Sequence, residues 1–162
     1  MRYDQTHIVK LNTVFELPFG RGKHFLSNGG FVSSVATGWR LSAIQSYMSG
    51  FPIGVTANAP LPIDNFANRP VITTDNWLMS YSGRFDPAVD KYLNPAAFPA
   101  QPIGVLGNAP RKNSKVRQFP TYNENVSVAR TFNLKERMHL DLRMEAFNIF
   151  NRTIFGAPNT SL

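Results

Sequence analysis

From Met138 to Ala146 the chain alternates without a break. Met138, Leu140, Leu142, Met144 and Ala146 are apolar, while His139, Asp141, Arg143 and Glu145 between them are polar or ionisable. A strand sends successive side chains to opposite faces, so this pattern makes one oily face and one charged face. On a helix the same apolar residues would scatter around the axis. The periodicity therefore outweighs the helix preference of Leu, Met, Ala, Glu and Arg. Just upstream, Val126, Val128 and Phe132 alternate with Asn125, Ser127, Ala129 and Thr131, and Asn133-Leu134-Lys135-Glu136 makes a short link. An antiparallel hairpin is predicted, with strands near 123–132 and 137–147.

Three more strands are predicted nearer the N-terminus. Val9, Leu11, Thr13, Phe15 and Leu17 define one near 7–17, closed by Pro18, which cannot donate to a ladder. Trp39, Leu41, Ala43 and Tyr47 share a face of a second, near 38–48, that Gln45 interrupts. Its terminal Trp39 and Tyr47 fit an interfacial aromatic girdle, and equally a well-packed sheet edge. Ser49-Gly50-Phe51-Pro52 is a turn, followed by a shorter third strand near 53–57. Phe19 to Thr37, with Gly20, Gly22, Gly29 and Gly30, reads as a loop. Residues 58–121 hold nine of the twelve prolines and no apolar period, so one long irregular loop is expected there. In a five-strand meander the long connections then fall on one edge and the short ones on the other.

Strands of about ten residues exceed the usual globular length and match the nine to eleven that cross a bilayer at a tilt. Two readings follow. In one, a half-buried soluble sheet turns its charged face to water. In the other, the apolar face meets lipid and the charged face a wet lumen. The fold class expected is all-β: antiparallel up-and-down strands, about five, forming part of an incomplete transmembrane β-barrel with one long irregular loop. Residues 1–162 are taken as a single partial barrel domain.

Composition changes this picture little. Twelve Pro, eleven Gly and thirteen Phe with 17% charged residues suit a turn-rich β protein. No apolar run approaches the eighteen residues of a spanning helix, which leaves spanning strands open. Without Cys there are no disulfides and no thiol catalysis. The net charge of +7 raises nucleic acid as a partner, but the basic residues are dispersed and only Arg111, Lys112, Lys115 and Arg117 cluster. A solvated basic loop is the plainer account there, an anion contact such as lipid phosphate the sharper one, and no nucleic-acid partner is expected. No apolar signal segment follows Met1, so an exported protein would need sequence ahead of this stretch.

No catalytic chemistry stands out. His7, His24 and His139 lie in separate elements without metal-ligand spacing, and no Gly-x-Ser-x-Gly elbow, P-loop or dinucleotide fingerprint occurs. Asp141 and Glu145 flank Arg143 on one strand face. They have the makings of an acid pair, but an ion-paired row in a water-filled lumen is simpler. No catalytic, cofactor-binding or metal residue is assigned, the ligand-binding residues stay unknown, and no enzyme activity or cofactor is expected.

Six short stretches carry a resemblance. They are Glu-Leu-Pro-Phe-Gly-Arg-Gly-Lys (16–23), Gly-Trp-Arg-Leu-Ser (38–42), Ser-Gly-Phe-Pro (49–52), Leu-Asn-Pro-Ala-Ala-Phe (93–98), Gly-Asn-Ala-Pro-Arg (107–111) and Arg-Met-Glu-Ala-Phe-Asn-Ile-Phe-Asn (143–151). In this order and spacing the chain resembles the C-terminal barrel region of TonB-dependent receptors, particularly the Oar-type group with a carboxypeptidase-regulatory-like N-terminal domain. The resemblance implies an outer-membrane barrel of twenty-two strands around a plug, importing scarce ligands with energy passed on by TonB. It implies outer-membrane lipid, the remainder of the barrel, the plug and TonB as partners. The chain departs from the pattern in lacking the plug, the TonB-contacting segment and the closing strand, and in placing Lys112 between Arg111 and Asn113-Ser114. It is expected to be a fragment of such a receptor in the Gram-negative outer membrane. The alternative is a soluble β-sandwich or adhesin-like binding module without catalytic activity.

Overall fold

The computed structural model describes residues 4–20, 22–57, 68–135 and 137–162. It is all-β apart from two short helices, and it divides into two compact units: Met1–Thr6, Ser49–Phe119 and Phe155–Leu162 make one, His7–Met48 and Pro120–Ile154 the other.

In the second of these units, four antiparallel strands form a single sheet. They are β1 (Ile8–Glu16), β2 (Trp39–Met48), β5 (Thr121–Lys135) and β6 (Met138–Ala146), paired in that order. Register is unbroken from Ile8 opposite Met48 to Glu16 opposite Arg40, and from Trp39 opposite Arg130 to Met48 opposite Thr121. On β5 and β6 it shifts once, between Asn133 and Lys135 beside the tight turn. Because the side-chain period is two, a preserved register keeps each row on one face across all four strands. Thr13, Ala43, Val126 and Ala146 make one apolar row, and Phe15, Leu41, Val128 and Met144 the next. Among the described residues both faces are largely open: Leu140, Leu142 and Met144 are 55%, 44% and 59% exposed, and every residue of β1 and β6 is exposed. The two outer strands are each hydrogen-bonded on one side only among the described residues. A β-sandwich would need a second layer over these side chains, and the described residues supply none.

The expectation of five strands is corrected to four. The stretch near 53–57 contributes only β3 (Pro52–Ile53), which pairs with β4 (Asn113–Arg117) in a separate two-stranded sheet. The chain leaves the large sheet at the Ser49–Pro52 turn because Gly50 and Gly54 press against other backbone. A Cβ there would lie 1.8 Å from the Gln118 carbonyl oxygen and 2.0 Å from that of Arg111 respectively. An alternation of three or four residues cannot distinguish this local pairing from a spanning strand. Removing one strand also reverses the end to which later links belong. The link across 17–38 therefore shares its end of the sheet with the tight β5–β6 turn, and long and short connections do not segregate as expected. The former also contains α1 (Phe31–Ala36), where a plain loop was expected.

In the other unit the described part of 58–121 is irregular chain as expected, apart from the 3-10 turn Pro95–Ala97 and β4, but it is packed and not loose; residues 58–67 lie outside the described residues. Ile53, Val55, Trp77, Ala97, Phe98, Ala109 and Val116 form a buried core, with Trp77 1% exposed and edge-on to Phe98 at 5.2 Å. Side-chain amides replace ladder hydrogen bonds here. Asn94 caps the 3-10 turn Pro95–Ala97 by accepting from the Ala96 amide at 3.1 Å. Asn108 Oδ1 accepts from Ile72 N at 2.7 Å, and its Nδ2 donates to Ile72 O at 3.3 Å. The Leu-Asn-Pro-Ala-Ala-Phe and Gly-Asn-Ala-Pro-Arg stretches are thus the clamps of a core built without long elements.

Candidate functional site

The polar face of the sheet is built by the strand positions out of phase with the apolar rows. Ser42, Ser127 and Glu145 lie side by side across β2, β5 and β6, and Arg40, Ala129 and Arg143 form the adjoining row. On β1, Glu16 stands opposite Arg40 and is 3.4 Å from Lys23 Nζ. Arg143 and Glu145 form an ion pair along β6, and Thr131 Oγ1 donates to Asp141 Oδ1 at 2.6 Å. A shallow groove of about 330 Å³ runs over this surface, with Arg40, Ser42, Asn125, Ser127, Arg143 and Glu145 among its lining. The Asp141–Glu145 row is therefore an ion-paired and hydrogen-bonded polar strip. Its carboxylates already have partners, so it presents no free acid pair.

The histidines do not converge. His139 stands opposite Asn133 near the tight turn, His24 lies in the 17–38 link with its ring 6.3 Å from Phe25, and His7 precedes β1. Among the described residues no three His, Asp or Glu side chains gather as a metal site would require.

A second concave surface belongs to the loop-built unit. A cleft of about 810 Å³ is lined by Arg69, Arg111 and Lys112 together with Thr56, Gln118 and Thr160. Arg69 Nη1 donates to Ala109 O at 3.2 Å, and Lys112 Nζ to Pro52 O at 3.2 Å. Lys112 thus holds the start of β3. Three cations and no described carboxylate line this cleft, which suits an anionic or carbonyl-rich ligand.

A family model described as an outer membrane beta barrel domain matches residues 1–162. The chain belongs to that family. No curated protein and no solved structure matches it. Membership places the chain in the outer membrane. In barrels of this kind the outward band is apolar, girdled by aromatic residues, and the alternate positions face a polar interior. The rows through Ala43 and Leu41 are accordingly the lipid side of this barrel sheet, and the Arg143–Glu145 strip faces its lumen. Tyr47 and Tyr122, directly opposite with rings 5.9 Å apart, mark one border of the band, and Trp39 with Phe132 the other.

Sequence reasoning passed over two charged residues on the barrel's lipid side. Glu124, 1% exposed, receives both carboxylate oxygens' hydrogen bonds from Arg152 Nε, at 2.9 and 3.0 Å. Arg130, 9% exposed, lies over the Phe132 ring at 4.0 Å and over Trp39 at 5.7 Å. Both occupy in-phase positions of the row Tyr122–Glu124–Val126–Val128–Arg130–Phe132. A charge in an otherwise apolar row is the signal that finds them, and both sit next to the border rings, where a charged head reaches the interface.

The final recurrent stretch also has a local explanation. Beyond β6, Asn148 adopts φ 48° and Asn151 φ 47°, left-handed values that asparagine tolerates. Asn148 N donates to Asn125 Oδ1 at 3.0 Å and Ile149 N to Glu124 O at 2.9 Å. The turn so formed brings Arg152 back to Glu124.

Proposed function

We propose that this sheet and its links are part of a TonB-dependent receptor of the Oar-type group, and that its role is energised ligand uptake, not catalysis. The support at family grain is the outer-membrane barrel domain, and at finer grain the six receptor-like stretches in order. One structural observation carries the reading furthest. The connection from Met48 to Thr121 leaves the sheet at the end opposite the tight β5–β6 turn and builds its own core and basic cleft. Barrels that capture ligands put long elaborated links outside the cell and tight turns on the periplasmic side. On this reading the 49–120 connection is extracellular, and the barrel remainder, plug and TonB are the partners.

The test uses the full-length protein in detergent and in planar bilayers. Capture by the periplasmic domain of TonB, with no large resting conductance, is expected of a plugged receptor. Steady open-pore conductance without TonB capture overturns the reading and leaves a diffusion porin.

A further inference from the structure

Helix α1 has an unusual setting. From Phe25 to Trp39 the chain carries no Asp, Glu, Lys, Arg or His. Within that stretch Phe31, Val32 and Val35 are 84%, 64% and 47% exposed, as are the rings or chains of Phe25 and Leu26 at about half. The helix is held at its C-terminal end by two residues of the lipid side. Arg130 donates to the carbonyls of Ser34 and Val35, and Trp39 Nε1 donates to Val35 O at 2.9 Å. Thr37 Oγ1 bonds the carbonyl of Ser33 at 2.6 Å. The last carbonyls of a helix have no partner within it and bear its negative end, so a guanidinium there satisfies and neutralises them. Arg130 itself is stacked on Phe132 and Trp39, the border rings of the apolar band.

We propose that α1 and the residues leading into it lie in the membrane–water interface, seated on phospholipid and pinned there by Arg130. The argument is continuity. The helix is bonded to residues that end the lipid-facing rows, so its bare Phe31, Val32 and Val35 extend the same apolar surface. A short apolar helix in water would leave these side chains hydrated, whereas lying in the interface buries them among headgroups and upper acyl chains. The carbonyls of Ser33, Ser34 and Val35 at its C-terminal end are already satisfied by Thr37, Arg130 and Trp39, which removes part of the cost of residence at that depth. Phospholipid is the lipid chosen because the tight β5–β6 turn lies at this end, the periplasmic end in barrels. The inference needs the barrel family and this orientation, not energisation by TonB, so loss of the receptor reading would leave it standing.

The experiment uses the full-length barrel, stripped of other cysteines, in vesicles of phosphatidylethanolamine and phosphatidylglycerol. Phe31→Cys and Val32→Cys carry a fluorophore, with Leu142→Cys as the lipid reference and Ser82→Cys as the aqueous one. Strong quenching at positions 31 and 32 by phospholipids brominated on the acyl chains, and severalfold weaker iodide quenching than at position 82, is the expected result. Iodide quenching equal to that at position 82, or bromolipid quenching only after lipopolysaccharide is added, overturns it. With Arg130→Gln, the label at 32 should shift toward iodide while that at 142 does not. An unchanged label overturns the pinning. Should that variant fail to fold, Arg130→Lys takes its place with the same two readouts, and the wild-type background decides the seating.

Discussion

Trp39 and Arg130 stand directly opposite each other on β2 and β5, and both donate to the carbonyl oxygen of Val35. The two side chains thereby tie a helix to a sheet through one acceptor, while the guanidinium lies over the indole ring. Arginine suits this place because a planar cation can stack and hydrogen-bond at once; an ammonium cannot. Arg130→Lys should therefore destabilise the folded barrel by on the order of 2 kcal/mol despite keeping the charge. Urea titration in vesicles, read by gel mobility of the unheated barrel, checks this. Combined with Trp39→Phe, the loss should be less than additive, because each change damages the same junction.

The two faces of the sheet should answer differently to the same charge. Leu142→Arg places a cation on the lipid side and is expected to cost roughly 2–4 kcal/mol if mid-bilayer, less nearer the border. Ser42→Arg, on the lumen side between Ser127 and Val14, should change stability by no more than about 0.5 kcal/mol. Equal losses in the same urea titration would contradict the assignment of faces.

Gly83 has φ 92° and no neighbour within 4 Å of its Cβ direction, so residues can be inserted beside it without displacing packed atoms. An epitope tag between Ser82 and Gly83 is expected to bind antibody on intact cells. A tag next to Arg137, in the tight turn, should bind only after the outer membrane is permeabilised. The reverse pattern would invert the proposed orientation.

Tyr92 gives the loop-built unit an alkaline limit. Burial against Phe85 and Phe119, with a smaller push from Tyr81, raises its hydroxyl pKa above the ordinary tyrosine value, and that hydroxyl donates to the Arg117 carbonyl. Above about pH 10 the unfolded chain releases this proton while the folded chain retains it. The stabilisation is thus complete below that pH and is lost as pH climbs through the folded value. Tyr92→Phe should cost about 1 kcal/mol at neutral pH through the missing hydrogen bond and flatten the alkaline decline. Near-ultraviolet circular dichroism against pH, compared with wild type, reads both effects.

The sheet was legible in the sequence where alternation ran long. β6 was announced by nine uninterrupted positions from Met138 to Ala146, and β1 and β2 by rows that tolerated Thr13 and Gln45. What remained hidden had no period to show. Trp77, Phe98, Ala109 and Val116 come from separate turns, and their packing depends on amide clamps from Asn94 and Asn108, whose roles no spacing predicts. The β3–β4 pairing was concealed because Pro52–Ile53 is too short to reveal its partner more than fifty residues on. Glu124 and Arg130 were visible as breaks in an apolar row, yet only their partners Arg152, Trp39 and Phe132 explain why charges are tolerated there.

The margins of β1 and β6, unpaired among the described residues, have a consequence for biogenesis. In hydrocarbon an amide without a mate has no water to turn to, so these four strands cannot come to rest in the bilayer by themselves. On the proposed reading, the rest of the barrel supplies companions along both flanks as the stave is laid down. Insertion should then proceed as a zipper, each newcomer templated by its predecessor, and a blocked flank would stall the whole assembly at the periplasmic doorstep.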